Sequence, residues 1–319
     1  MFKWLKKTTE LKPMHSSKLE IACLGKLPMQ AEFIRHQVSH PVVKAFEQWL
    51  QNNFVQQGRS QFNHGNSVLG LAHGFILAST TPALFIGYLQ DSTDQSGREY
   101  PIAIMRELPI TNYLTNTLPI IYQSFFQGAQ QLIQQNWLTL TQQDLTCGLN
   151  VLLENPALVE NSIAENLVTL EFSKLPFNIF WQQLNIVTIN SATFLYSLEK
   201  SLKTQNPLQI KLPILSGSQQ EVSISFWLQL ISTIKKPQAA TQCIFWQKNF
   251  QNKNELIVHN GELNTNLFNF LMDKPSATVI DPINNPCLLV ETLMDDYTFD
   301  DATSLFDVIH FWANLRSAK

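Results

Sequence analysis

The chain has 319 residues, of which 45% are hydrophobic and only 15% charged, so it can bury a large core in one domain or two. Its 22 basic and 25 acidic side chains give a net charge of −3, and without a long basic run this charge predicts no nucleic-acid partner. Four widely spaced cysteines, Cys23, Cys147, Cys243 and Cys287, favour reduced thiols in a cytoplasmic protein over a disulfide framework.

The N-terminus begins Met-Phe-Lys-Trp-Leu-Lys-Lys, which is similar to the start of a signal peptide. The apolar region of about 7–15 residues that a signal peptide needs does not follow. We predict a leader over residues 1–17, with a weak membrane or partner contact of this basic-aromatic tail as the alternative. A single domain is predicted over 18–319, made of a sheet module (18–145) and a C-terminal extension (146–319).

The first regular elements are a strand and an amphipathic helix. Apolar residues alternate over 19–24 up to Gly25, which predicts a strand. Pro41 suits the first turn of a helix. The apolar positions that follow recur every three or four residues, at Val42, Val43, Phe46, Trp49 and Leu50. We expect this helix to lie on the sheet, with Trp49 buried near the Gly25 strand exit and its indole N–H satisfied by a neighbour.

The apolar stretch 68–89 approaches the ~20 residues of a membrane span. A His-Gly pair and a Ser-Thr-Thr-Pro cluster interrupt it, so we predict two strands, 74–78 and 83–89, and no membrane span. The turn between them is too short for a parallel crossover. With a further strand at 102–105, these elements predict an α+β fold with a mostly antiparallel sheet.

The rest of the chain predicts both helices and strands. A helical stripe within 113–136 predicts a cover helix that begins near Pro119. Further helices are predicted at 156–170, 176–184, 191–204, 264–272 and 303–316. Strands are predicted at 210–215, 222–228, 241–246 and 256–258. The proline-rich stretch 273–287 is predicted to be a surface connection.

Two short segments are not explained by secondary-structure propensity. Residues 25–33 are Gly-Lys-Leu-Pro-Met-Gln-Ala-Glu-Phe, and residues 91–101 are Asp-Ser-Thr-Asp-Gln-Ser-Gly-Arg-Glu-Tyr-Pro. The second segment follows a predicted strand, where functional loops concentrate. The guanidinium of Arg98 could pair with a nearby carboxylate, and Gly97 permits a positive φ in the turn. This turn is therefore either a structural ion pair that fixes the loop or a rigid recognition loop for a partner.

Together with Glu-Gln-Trp-Leu-Gln at 47–51, these segments resemble the TagF family of type VI secretion-associated proteins. The family pattern runs Gly-Lys-Leu-Pro-x-x-Gly-Asp-Phe, Asp-x-Trp-Leu-Gln and Asp-x-x-Gly-Arg-x-Phe/Tyr-Pro. This chain departs from it at Ala31 and Glu32, where the family usually has Gly-Asp, and at Glu47, where it usually has Asp. The match extends over roughly residues 19–109, and a second, weaker similarity lies within 243–272.

The resemblance implies a sheet with helices on both faces and a cytoplasmic, non-enzymatic regulator. It implies a post-translational repressor that binds a forkhead-associated scaffold protein. We predict no cofactor and no metal. The positions that match the family motifs, and are expected to bind the partner or support the motif, are Lys26, Pro28, Glu32, Phe33, Glu47, Asp94, Gly97, Arg98 and Tyr100. We expect Glu47 to contact Lys26 or Arg98.

Two other functions stay open: an enzyme in which Glu32, Asp94 and Arg98 meet in a pocket, and an effector-loading adaptor. A deep concave pocket would favour the enzyme, whereas exposure on a flat or grooved face would favour the binder. Gly-Lys-Leu-Pro lacks the earlier glycine and the Ser or Thr of a phosphate-binding loop. His36 and His40 have the spacing of two ligands on one helix face, but no third metal ligand is evident.

Overall fold

A computed structural model describes most of the chain. The described residues are 20–61, 73–78, 83–108, 115–134, 139–154, 161–204, 209–234, 242–248, 254–271, 279–283 and 299–317. The predicted leader (1–17) and most of the predicted surface connection (273–287) lie outside these ranges.

Strands and helices occur in both halves of the chain. The strands are β1 (Ile21–Gly25), β2 (Ile34–His36), β3 (His73–Ala78), β4 (Leu84–Gln90), β5 (Ile102–Leu108), β6 (Gln209–Pro213), β7 (Gln242–Lys248), β8 (Asn254–Asn260) and β9 (Val279–Ile280). The helices are α1 (Pro41–Gln61), α2 (Leu118–Ile121), α3 (Gln123–Gln134), α4 (Gln142–Glu154), α5 (Asn161–Lys174), α6 (Phe177–Gln183), α7 (Ser191–Thr204), α8 (Gln220–Ile234), α9 (Thr265–Leu271) and α10 (Leu305–Ser317).

The strands form one sheet in the order β2-β1-β5-β4-β3-β7-β8-β6-β9. All pairings are antiparallel except that of β6 with β9. The predicted antiparallel pairing of β3 with β4 is confirmed, with Ala78 opposite Leu84. β3 also pairs with β7, so strands from both halves of the chain share the sheet. The division predicted between residues 145 and 146 falls within α4.

Helices cover both faces of this sheet, which confirms the predicted α+β fold. Successive strand residues point to opposite faces. One face, which includes Phe75 and Phe245, packs against α1 and α9. The other face, which includes Ile76 and Ile244, shares one core with residues of the remaining helices, and α3 packs directly on β4. Within the described ranges, no helix has both the length and the hydrophobicity that a membrane crossing requires.

The strand predicted at 222–228 is wrong, because these residues belong to α8. Every residue from 221 to 228 is buried, and α8 packs among α2, α5, α7 and α10. Ser223 and Ser225 are buried and alternate with Val222, Ile224 and Phe226, so this part of the sequence has the two-residue period of a strand. The indole Nε1 of Trp227 donates to the carbonyl oxygen of Pro213 at 2.6 Å, which fixes α8 against β6.

Other elements differ from their predictions in extent. The single cover helix is two helices, α2 and α3, separated at Tyr122. The helix predicted at 156–170 continues to Lys174, and 156–160 lie outside the described residues. None of β2, α4 and β9 was predicted, and β9 pairs with β6 within the stretch 273–287 that was predicted to be a surface connection. Arg106 of β5 is buried and donates from Nη1 and Nη2 to the carbonyl oxygens of Leu152 (3.0 Å) and Leu153 (3.2 Å), so a guanidinium caps the C-terminal end of α4.

Trp49 of α1 is buried, and its Nε1 donates to the carbonyl oxygen of Asn264 at 2.8 Å, as predicted. Its position differs from the prediction. The indole packs against Phe245 of β7 (centroids 6.2 Å apart) and Phe268 of α9 (5.6 Å) instead of the exit of β1. Because β5, β4 and β3 lie between β1 and β7, these two sites are far apart on the sheet.

We expect Trp49→Ala to lower the free energy of unfolding by about 3–5 kcal/mol, because it removes a buried ring from the contact between α1 and α9. Thermal and urea unfolding would measure this loss. A variant with an unchanged melting temperature that fails to bind a partner would instead place Trp49 in an interface.

Candidate functional site

The two motif segments meet at the ends of β1 and β4. We call residues 25–33 the first motif loop and residues 91–101 the second motif loop. The hydroxyl of Ser92 donates to the carbonyl oxygen of Lys26. The backbone N–H of Gln95 donates to the carbonyl oxygen of Gln30 at 3.0 Å. Segments that lie more than sixty residues apart in the chain thus form one structure.

The carboxylate of Asp94 joins the two loops. Its Oδ2 accepts from Nζ of Lys26 at 2.9 Å and from Nε of Arg98 at 2.6 Å. Its Oδ1 accepts from the backbone N–H groups of Ser96 and Arg98, each at 2.9 Å. The side chain of Asp94 has no exposed surface. Both carboxylate oxygens are therefore occupied, Oδ1 by two donors of the second motif loop and Oδ2 by one donor from each loop.

The charge state of Asp94 follows from these donors. Burial alone would raise the pKa of its carboxyl, but hydrogen bonds from Lys26, Arg98 and the Ser96 N–H outweigh it and hold the pKa well below its ordinary value. Asp94 is therefore ionised at neutral pH. The side chain of Arg98 covers the carboxylate of Asp94 and is itself 64% exposed. The carboxylate therefore lies just beneath the protein surface.

Arg98 contacts both loops and solvent. Besides its bond to Asp94, its Nη2 donates to the carbonyl oxygen of Ala31 at 3.0 Å. Nζ of Lys26 in turn donates to the carbonyl oxygen of Arg98 at 3.3 Å. The predicted ion pair is thus present, and much of the guanidinium still faces outward.

Glycine is required at two positions in these loops. Gly25 has φ +132°, and a Cβ there would lie 2.2 Å from the carbonyl oxygen of Pro101. Gly97 has φ +77° and closes the turn with its N–H on the carbonyl oxygen of Asp94 at 2.9 Å. Among the described residues other than glycine, positive φ occurs only at Gln37 and Asn185. Ala31 therefore occupies the family's glycine position without backbone strain.

Aromatic rings support the joined loops from below. Phe33 of the first loop packs edge-on against Tyr100 of the second, with centroids 5.0 Å apart. Tyr100 also contacts Phe54 of α1 at 5.2 Å. Burial, and secondarily the charge of Glu47, raises the pKa of the Tyr100 phenol, so it stays protonated at neutral pH. The motif aromatics are therefore mainly structural.

The predicted contact of Glu47 with Lys26 or Arg98 is wrong. Its Oε2 accepts from Nη2 of Arg35 at 2.8 Å. Arg35 lies in β2, a three-residue edge strand whose sequence gives too little alternation to predict. The structure also leaves Glu32 exposed at the surface, whereas Asp94 is covered.

The exposed residues of the joined loops are Met29, Ala31, Glu32, Gln95, Ser96, Gly97 and Arg98. Of these, we call Met29, Glu32 and Arg98 the motif surface. Met29 is 49% exposed, and no sequence signal singled it out. Pro28 is half-buried between Leu27, which is in the core, and Met29. An exposed thioether and two exposed charges on the same joined loops offer both apolar contact and orientation to a protein partner.

The structure gives little support to a histidine metal site in this region. His36 lies in β2 and His40 precedes α1, so the pair does not share a helix. Over the part of the chain that the structure describes, no group of three or more His, Cys, Asp or Glu side chains has the arrangement to hold a metal ion.

We expect Asp94→Asn to lower the free energy of unfolding at pH 7 by about 1–2 kcal/mol, since charged hydrogen bonds are lost at a site partly screened by water. The pKa of Asp94 is lower in the folded than in the unfolded state, so its contribution is complete above the ordinary Asp pKa of ~3.9 and is lost as the pH falls. Urea unfolding of the unmodified protein and of Asp94→Asn should therefore show a difference in the free energy of unfolding that narrows below about pH 4. A difference that is constant across this range would contradict the assignment.

Comparison with known proteins gives one family match. Residues 22–147 match the family model of the TagF N-terminal domain, described as type VI secretion system-associated. No curated protein matches the chain. The crystal structure of PA0076 from Pseudomonas aeruginosa PAO1 is similar, with 18% sequence identity and a TM-score of 0.35. The similarity covers 43% of this chain and 63% of PA0076, so this chain spans less than two thirds of that protein. Over residues 22–147 the chain therefore matches a TagF N-terminal domain, a type VI secretion system-associated domain.

Proposed function

We propose that this chain is a cytoplasmic, non-enzymatic regulator of a type VI secretion system. It binds a forkhead-associated scaffold protein through the motif surface and represses assembly post-translationally. The observation that carries the proposal is the joining of the two motif loops by Asp94, which leaves Met29, Glu32 and Arg98 exposed on one unit. The family match supports the association with secretion, and the partner follows from the family resemblance.

A surface held in this way suits binding. The loops are ordered by hydrogen bonds within the free protein, so less conformational entropy is lost when a partner binds. Arg and Met are enriched at protein interfaces, and exposed charges of opposite sign, such as those of Glu32 and Arg98, can orient a partner before contact. Repression is then stoichiometric, because each bound regulator keeps one scaffold molecule from the membrane or baseplate complex.

The chemistry of the charged residues favours a binder over the enzyme alternative. A general base needs a free lone pair near the substrate and a pKa close to the working pH. Asp94 has donors on both oxygens and a lowered pKa. Burial raises the pKa of the Cys243 thiol to about 12, with a further increase from Glu262, so this cysteine is a poor nucleophile.

Arg98→Ala should abolish capture of the scaffold protein in a pull-down and release secretion, while the protein stays folded. An ion pair of a side chain this exposed contributes no more than about 1 kcal/mol, and Asp94 keeps its bonds from Lys26 and the backbone. A folded variant that still binds and represses would exclude Arg98 from the contact. An unfolded variant would show that Arg98 is structural.

Met29→Asp and Glu32→Lys test the motif surface without touching the bonds of Asp94. Each should weaken scaffold binding at least about tenfold, as expected for residues central to an interface. Val151→Asp on α4 and Glu165→Lys on α5 are matched controls, because both positions are exposed and distant in sequence from the motif loops. Isothermal titration with the purified scaffold protein measures the effect. Equal losses in the controls, or none in the test variants, would overturn the assignment.

A further inference from the structure

Helix α5 carries an exposed apolar stripe. In the part of the chain that the structure describes, seven large hydrophobic side chains are exposed, and three of these lie on α5. They are Ile163 (50% exposed), Leu167 (41%) and Leu170 (50%). Steps of four and three residues place them along one side of a helix. We call these three residues the α5 stripe.

The stripe is separate from the side that anchors α5 in the fold. Ala164, Val168 and Phe172 of α5 are buried, and the helix packs against α2, α8 and α10. The ring of Phe172 contacts that of Phe226 in α8, with centroids 6.0 Å apart. This helix therefore has two apolar sides, whereas a surface helix usually has one. The second side is about 10 Å long, a length that one short amphipathic segment covers.

The predicted leader (1–17) has the sequence of such a segment. In a helical projection of residues 2–11, one half is apolar or threonine and the other half is charged. The apolar side chains are those of Phe2, Trp4, Leu5 and Leu11, and the charged ones are those of Lys3, Lys6, Lys7 and Glu10. Pro13 follows at a position typical of a helix end. A helix over 2–11 rises about 14 Å, which matches the length of the α5 stripe.

The charges of the two segments are also complementary. The leader carries four lysines and one glutamate. Glu165 of α5 and Glu154 at the end of α4 are exposed carboxylates. Glu171, which follows Leu170, is paired with Lys174 at 2.7 Å. A basic segment is therefore attracted to the α4–α5 surface, and salt should weaken this attraction.

The leader joins the fold close to α5. It precedes β1, whose first residue, Ile21, lies opposite Arg106 in the sheet. The guanidinium of Arg106 lies 6.0 Å from the ring centroid of Tyr122, at the end of α2. That helix packs against α5 and has only four residues, a rise of about 6 Å. Residues 12–19 span about 26 Å when extended, so residues 2–11 can reach the stripe.

The small size of the stripe favours an occupant from the same chain. Three side chains that are about half exposed offer far less area than the ~800 Å² that each partner contributes to a stable complex. A separate protein, or a second copy of this one, would need further contact area. A linked segment needs less, because the linkage gives it an effective concentration in the millimolar range.

We propose that residues 2–11 of the leader bind the α5 stripe of the same molecule as an amphipathic helix. The apolar half covers Ile163, Leu167 and Leu170, and lysines at its border lie near the carboxylates of α4 and α5. While it is bound, its apolar half is unavailable to a membrane surface or to another protein. This contact uses none of the motif-surface residues, so it is independent of scaffold binding.

Hydrogen exchange of the full-length protein at low micromolar concentration, followed by mass spectrometry, tests this contact. Amides of residues 2–11 should be protected in the unmodified protein. Leu167→Asp should raise their exchange rate at least about fivefold, because a carboxylate replaces an apolar contact. Thr169→Asp is the matched control, since Thr169 is exposed on the same helix beside the stripe. It should change that rate less than about twofold.

The reverse substitutions test the same contact from the leader. Trp4→Gln should raise the exchange rate of α5, whereas Lys3→Gln, on the charged half, should leave it unchanged. If Leu167→Asp fails to fold, Ile163→Asp replaces it, because an acidic residue is favourable in the first turn of a helix.

Three results would overturn the proposal. The first is a leader that exchanges as an unprotected chain, or whose protection survives Leu167→Asp and Ile163→Asp. The second is protection that increases with protein concentration, which would assign the stripe to a second copy. The third is a leader that is protected only when phosphatidylserine vesicles are added, which would assign residues 2–11 to a membrane surface.

Discussion

The candidate site depends on one interaction, the four hydrogen bonds to the carboxylate of Asp94. A covered carboxylate is unfavourable unless donors satisfy it. Here the donors come from Lys26 in the first motif loop and from Ser96 and Arg98 in the second. Neither loop can supply them alone, so the two loops order each other. This explains why an acid, a glycine and an arginine occur together in one motif.

The sheet fixes where this interaction forms. β1 and β5 are paired, so the first loop leaves the sheet beside the point where the second loop returns to it. The backbone of Gly25 touches that of Pro101, and the rings of Phe33, Tyr100 and Phe54 fill the space below the loops. The motif surface is thus attached to the core through backbone contact and through aromatic packing.

The sequence predicted the parts of this site that depend on local chemistry. The β3–β4 pairing, the start of α1 at Pro41, the turn at Gly97 and an ion pair of Arg98 follow from turn and periodicity signals within short segments. The partners of Glu47 and Trp49 could not be predicted in this way. The partner of Glu47 lies in β2, which is too short to show alternation. The partners of Trp49 lie in β7 and α9, more than 190 residues away in the chain. α8 was missed because Ser223 and Ser225 are buried and alternate with apolar residues, which is the pattern of a strand.

Hydrogen exchange of the protein, alone and with the scaffold protein, tests most directly whether the joined loops form one binding surface. We predict that residues 26–33 and 95–98 become protected together, while α5 exchanges as in the free protein. Because the loops share Asp94, a partner that binds the motif surface should slow opening of both. Protection of one loop without the other, or protection confined to other elements, would contradict this assignment.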